Sequence, residues 1–263
     1  MRQNETDSFP KWAYTLALFP LLVFIFDITH SQDQEWFLKI NHLANIFPDI
    51  LWTNLSLLGN GWSLFAITFP LILLARKQLY AGIISGIFTG ILSNLCKSFF
   101  QTDRPAGVID PQLFHIIENP LLHNAMPSGH TMTAFSVATA IFFTINSNKR
   151  TKYVFLFLLA TATGVSRIAV GAHWPEDVLV GSALGILSGL IAAQITQSIP
   201  SAYLELNKWP IYFIILGSFI SFYLLTMDKI DFHLNQTSQY ILAGIIFVTW
   251  IRLIPSLKQA KQN

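Results

Sequence analysis

Apolar residues gather into eight runs separated by short polar breaks, at about 12–28, 61–75, 79–96, 129–145, 153–170, 176–195, 210–226 and 238–254. These long runs lack the polar–apolar alternation of a half-buried strand. In hydrocarbon only helices and closed barrels satisfy every backbone N–H and C=O. The pattern therefore predicts an all-α polytopic membrane bundle of about eight transmembrane helices. Several runs fall short of the ~20 residues that a perpendicular span needs. The second and fourth are expected to extend into flanking polar residues, and six or seven spans remain open.

Two runs carry glycine at every fourth position, Gly82, Gly86, Gly90 and Gly181, Gly185, Gly189. That spacing puts each trio on one helix face, which predicts close helix–helix approach. Between the first two runs, Trp36, Phe37, Ile40, Leu43 and Phe47 recur at helical spacing, with Lys39, Asn41 and Asn45 between them. This reads as an amphipathic helix on the membrane surface or as a plain loop. Without a motif repeat, low-complexity tract or linker, residues 1–263 read as one domain. Its motif core is 79–195, and two further spans lie at about 210–254.

Composition supports the membrane reading. Hydrophobic residues make up 52% of the 263 and charged residues 11%, against roughly 25% charged in a soluble domain. Mean hydropathy is +0.50. A net charge of +2, without a basic cluster among aromatics, argues against a nucleic-acid partner. Cys96 is the one cysteine, so an internal disulfide is excluded. The first run ends in Asp27-Ile28-Thr29-His30 without a small-x-small site, and reads as an uncleaved span rather than a signal peptide.

Charge also predicts orientation. Arg2, Lys11, Arg76, Lys77, Lys149, Arg150, Lys152, Lys258 and Lys261 fall on one side of an eight-span bundle, which should be cytoplasmic. Both termini are then cytoplasmic, and the connections 97–128 and 166–175 face outward. Lys97 and Arg104 run against that rule, which suggests that they are kept for another purpose.

Three strings carry the chemistry: Lys97-x6-Arg104-Pro105, Pro127-Ser128-Gly129-His130, and Ser166-Arg167-x5-His173-x3-Asp177. Alternating spans bring all three to the outer face. Ser128 is placed to cap the helix that follows, and Gly129 lets an anion approach the backbone. A helix N-terminus with free N–H groups suits phosphate. Lys97, Arg104 and Arg167 add three cations, the arginines with forks that match phosphate oxygens. Alone, each would read as a snorkelling interfacial residue. His173 and Asp177 are four apart, so the carboxylate can accept from one ring nitrogen and leave the other as a nucleophilic lone pair. His130 is free to protonate a leaving oxygen. A metal site is the rival reading, disfavoured because three cations would repel the ion. His115 and His123 have no ligand-like spacing and read as solvated or lining the entrance.

The three strings resemble the signature of the type 2 phosphatidate phosphatase superfamily, KxxxxxxRP, PSGH and SRxxxxxHxxxD, matching at every fixed position over residues 97–177. The resemblance implies a metal-independent, cofactor-free membrane lipid phosphatase. It implies that His173 attacks phosphorus, that Asp177 orients His173, and that His130 protonates the leaving group and then activates water. Lys97, Arg104, Ser128, Gly129 and Arg167 would hold the phosphoryl oxygens. The family also includes soluble vanadium haloperoxidases, against which the apolar spans argue. Expected substrates are undecaprenyl diphosphate first, then phosphatidylglycerophosphate, phosphatidate or a lipid A phosphate. The expected setting is a bacterial cytoplasmic membrane with the site outside. A phosphatase of soluble sugar phosphates, a phosphate or lipid transporter, and an inactive binding protein are the alternatives.

Overall fold

The computed structural model describes residues 12–30 and 33–260. Arg2, Lys11 and Lys261, which count toward orientation, lie outside the described residues. Among those described there are no strands, only an isolated bridge between Asp103 and His123. The helices are α1 (Trp12–His30), α2 (Asp33–Ala44), α3 (Asp49–Leu57), α4 (Gly61–Thr68), α5 (Leu71–Leu74), α6 (Arg76–Phe100), α7 (Pro105–Val108), α8 (Gly129–Thr144), α9 (Phe155–Ala169), α10 (Pro175–Ser198), α11 (Trp209–Met227) and α12 (Gln236–Ala260).

Five helices among the described residues are long and apolar enough to cross a bilayer, or six when the bent segment 49–74 counts as one span. The expected count of eight is not reached by this measure, for two physical reasons. The apolar part of α1, Ala13–Ile25, and the 16-residue α8 are each shorter than a full crossing. The run at 61–75 does not continue straight either, since α3 and the α4–α5 segment meet at 73°. Asn60 sits at that bend and caps α4, its Oδ1 accepting from the Trp62 and Ser63 amides. A Cβ on Gly59 would stand 2.6 Å from the His130 carbonyl oxygen, so the bend presses on the first turn of α8.

The centre is the α8–α10 crossing. A Cβ at Gly181, Gly185 or Gly189 would meet the carbonyl oxygens of Ser128, Met132 and Ser136 at 2.8, 2.5 and 2.4 Å. Backbone therefore packs on backbone, as the spacing of this trio predicts. The other trio behaves differently. A Cβ at Gly82 would meet only Val137, at 3.6 Å, and one at Gly86 or Gly90 would meet nothing within 4 Å. This stripe lines an apolar groove of about 700 Å³ between α4, α6, α8 and α11. The α11–α12 hairpin closes the far side, packing Ile211, Ile214, Leu225 and Ile246 onto Leu57, Phe69 and Ile72. Its outer faces leave Phe213, Phe219, Tyr223, Phe247 and Ile251 exposed, as lipid contact requires.

The segment 30–60 is helical in α2 and α3. Its apolar positions do not all face a membrane surface. Phe37 is buried against Phe114 and Trp174, with ring centroids 5.0 and 5.2 Å away. Asn41, also buried, donates to the carbonyls of His115, Ile168 and Ala169 and accepts from the His115 amide at 2.8 Å. Two of those acceptors are end carbonyls of α9, which no intrahelical donor can satisfy. Thus α2 clamps the 101–128 loop onto the end of α9, the end that carries Arg167.

Candidate active site

The C-termini of α6 and α9 and the N-termini of α8 and α10 meet at one end of the bundle. Each arrival has a local cause. Gln101 ends α6 in the left-handed region, φ 48, and its amide bonds the Lys97 carbonyl. The chain then returns so that the Arg104 amide pairs with the Leu122 carbonyl. The Ser128 amide donates to the Asp177 carbonyl at 3.0 Å, joining the first turns of α8 and α10. Pro175 opens α10, where its missing N–H costs nothing.

His173 is 1% exposed. Its Nδ1 lies 3.2 Å from Asp177 Oδ2, which also accepts from the Trp174 amide at 2.9 Å. Its Nε2 lies 3.2 Å from Arg104 Nη1. Arg104 is itself fixed by the carbonyls of His123, Ala172 and Asn124. Burial, then Arg104, Arg167, Lys97 and His130, hold the His173 imidazole well below its ordinary value. The ring is therefore neutral at physiological pH, with Nδ1–H toward Asp177 and a lone pair on Nε2.

Arg167 is buried, donates to Ser56 Oγ at 2.5 Å and stands 5.9 Å over the Phe232 ring. Its Nε is buried without a hydrogen-bond partner among the described residues, a donor open to a phosphoryl oxygen. Lys97 is half-buried, and a Cβ on Gly129 would reach to 3.8 Å from its Nζ. The absent side chain thus leaves Lys97 facing the start of α8. Ser128 occupies the N-cap position without capping. Its hydroxyl accepts from Thr131 Oγ1 at 2.9 Å, and no backbone amide bonds it. The first N–H groups of α8 are left for another acceptor, as an anion site needs.

All eight expected site residues converge here. His115 and His123 do not join them: His115 pairs with Asp49 at 2.8 Å and His123 with Asp103 at 2.6 Å. Among the described residues no three His, Cys, Asp or Glu side chains are grouped to hold a metal ion. Sequence reasoning missed Asp231, whose Oδ2 lies 2.9 Å from His130 Nε2. The available signal was the polar break Asp228-Lys229-Ile230-Asp231 between the last two runs, on the outward side by the same alternation.

The PAP2 superfamily model matches residues 75–200, from the start of α6 to just past α10. The crystal structure of Aquifex aeolicus LpxE superposes with a TM-score of 0.53 at 30% identity, covering 61% of this chain and 93% of that one. The chain belongs to the PAP2 superfamily. Among PAP2 relatives it is 28% identical to a lipid A 1-phosphatase of Porphyromonas gingivalis over 77% of its own length and 42% of the relative's. It is 25% identical to an undecaprenyl-diphosphatase of Sulfolobus acidocaldarius over 74% and 95% respectively. The chain spans about half the length of several other curated relatives it matches, 43 to 54%. The PAP2 match stops short of α11, α12 and the turn that holds Asp231.

Proposed function

We propose that this integral membrane protein hydrolyses a lipid phosphate or diphosphate through a phosphohistidine, without a metal ion. The observation that carries the proposal is the convergence of a neutral, Asp177-paired His173 with three cations and an open helix N-terminus, with an apolar groove along the His130 side of α8. Thr133 and Val137 line that groove. They are three and seven residues beyond His130, so they lie on its side of α8.

The geometry supports the following sequence. Lys97, Arg104, Arg167 and the first amides of α8 neutralise the phosphoryl oxygens, which is most of what phosphoryl transfer asks of a protein. His173 Nε2 attacks phosphorus while the bond to the leaving oxygen breaks. His130 gives that oxygen its proton. His130 then takes a proton from water, whose oxygen attacks phosphorus and releases Nε2. Asp177 stabilises the charge that forms on His173 in between.

The groove favours a long-chain lipid over a soluble sugar phosphate. Undecaprenyl diphosphate, cleaved to undecaprenyl phosphate and phosphate, is our first choice; phosphatidylglycerophosphate, phosphatidate and a lipid A phosphate come next. The site end faces outward from a bacterial cytoplasmic membrane. Arg76, Lys77, Lys149, Arg150, Lys152 and Lys258 sit at the opposite helix ends, which supports this orientation. Phosphate release in detergent from a panel of these lipids, wild type against His173→Ala, tests the reading. Release by wild type alone supports it. No release from any lipid by wild type favours a transporter or binder instead.

A further inference from the structure

The expected residues leave one acid of the site unused. Asp231 lies in the turn between α11 and α12, outside the PAP2 match. The turn backbone faces outward, but the carboxylate turns in, its side chain 17% exposed against 21% for His130. It meets His130 Nε2 at 2.9 Å.

The turn is tied down on both sides. Asp231 is itself left-handed, φ 60. Its neighbours Ile230 and Phe232 are buried. Gln239 donates to the Ile230 carbonyl at 3.0 Å, Glu118 pairs with Lys229 at 2.6 Å, and Glu118 also accepts from the His233 amide. So fixed a carboxylate is not a surface residue that happens to reach inward.

Burial pushes the Asp231 carboxyl up, but His130, Arg167 and Asn60 more than offset this and hold it below its ordinary value. It is therefore ionised wherever the site works. The charged and titratable groups around His130 are Lys97 from α6, Arg167 from α9, His173 before α10, and Asp231. Asp231 is the anion in hydrogen-bond contact with the ring.

We infer that Asp231 is a positioning residue for His130, forming a second carboxylate–imidazole pair supplied by the C-terminal hairpin. The carboxylate occupies one ring nitrogen, so the other carries the proton that is transferred. The first pair, Asp177 with His173, leaves a lone pair for attack; the second keeps a proton for the departing oxygen. When that proton leaves, the nitrogen facing Asp231 keeps its own, and His130 stands ready to take one from water. The inference rests on the phosphatase reading for its purpose, though not for the pair itself.

The test uses the full chain in detergent with ¹⁵N-labelled histidine, the His130 signal being assigned by its loss in His130→Gln. Asp231→Asn should move the His130 titration midpoint down by about one pH unit, and Asp231→Glu should restore part of it. A midpoint unmoved in Asp231→Asn overturns the inference. Turnover of dioleoyl phosphatidate and p-nitrophenyl phosphate supplies the second readout. The alkyl leaving group needs a proton and the nitrophenolate hardly does, so the alkyl-to-aryl rate ratio should fall about tenfold in Asp231→Asn. The alkaline limb for the alkyl ester should move to lower pH. Equal losses on both esters with an unmoved limb show a merely structural role. If wild type cleaves neither ester, the phosphatase reading fails for them, and the NMR midpoint still decides the pair.

Discussion

Arg104 Nη1 stands 3.2 Å from His173 Nε2, a donor facing an acceptor. A guanidinium always donates, so this contact requires a lone pair on Nε2 and places the ring proton on the Asp177 side. Arg104 thus selects the tautomer that the proposed attack on phosphorus needs. It also opposes protonation of His173, after burial the largest influence holding that imidazole low. A cation beside imidazole disfavours imidazolium, so removing the cation raises the proton affinity. Wild type should keep its kcat/KM as pH falls through 6.5, because His173 stays neutral there. In Arg104→Ala the acid limb should move to higher pH, and kcat/KM should fall by roughly 10²-fold or more from the lost phosphate contact. A pH–rate profile of both proteins checks this; an acid limb that stays in place would contradict the assigned role.

Asp177→Asn should preserve the fold and cut turnover by roughly two to four orders of magnitude. The amide can still bond the Trp174 amide through its oxygen, but it cannot stabilise charge on His173. Phosphate release compared at equal thermal midpoint measures the effect; unchanged turnover would remove Asp177 from the mechanism.

Activity should survive chelation. The positive charges that a divalent ion would bring are already supplied by Lys97, Arg104 and Arg167, and a cation among them would meet repulsion. Phosphate release should be the same with and without EDTA. Loss in EDTA and recovery with Mg²⁺ would overturn the metal-free mechanism.

The parts of the site that could be read in the sequence are those whose spacing is local. His173 and Asp177 lie one helical turn apart, and Lys97, His130 and Arg167 sit at helix ends that alternation brings to one face. Asp231 is not legible in the sequence, because its meeting with His130 depends on how the α11–α12 hairpin docks against the α3–α4 bend. Spacing alone does not say what a helix face meets. Phe37 and Asn41 fall at helical spacing whether α2 covers a lipid surface or a protein loop. Ser128 was placed correctly at the head of α8, but the competing Thr131 hydroxyl took the bond a capping reading would give to the backbone.

The two glycine trios make that last limit testable, since the same spacing serves opposite purposes. Gly189→Ala puts a methyl 2.4 Å from the Ser136 carbonyl oxygen. Overpacking of this kind costs about 1–3 kcal/mol, and a backbone neighbour cannot rotate aside. That should outweigh the about 1 kcal/mol that Gly→Ala otherwise gains in a helix, and the thermal midpoint should drop. Gly86→Leu meets nothing within 4 Å at its Cβ, so the protein should fold as wild type does. The added side chain instead fills part of the groove. KM for a long-chain lipid phosphate should rise several-fold, while a dihexanoyl analogue with tails too short to reach Gly86 should be cleaved as before. Equal effects on long and short chains, or none on either, would show that the groove does not hold the lipid tail.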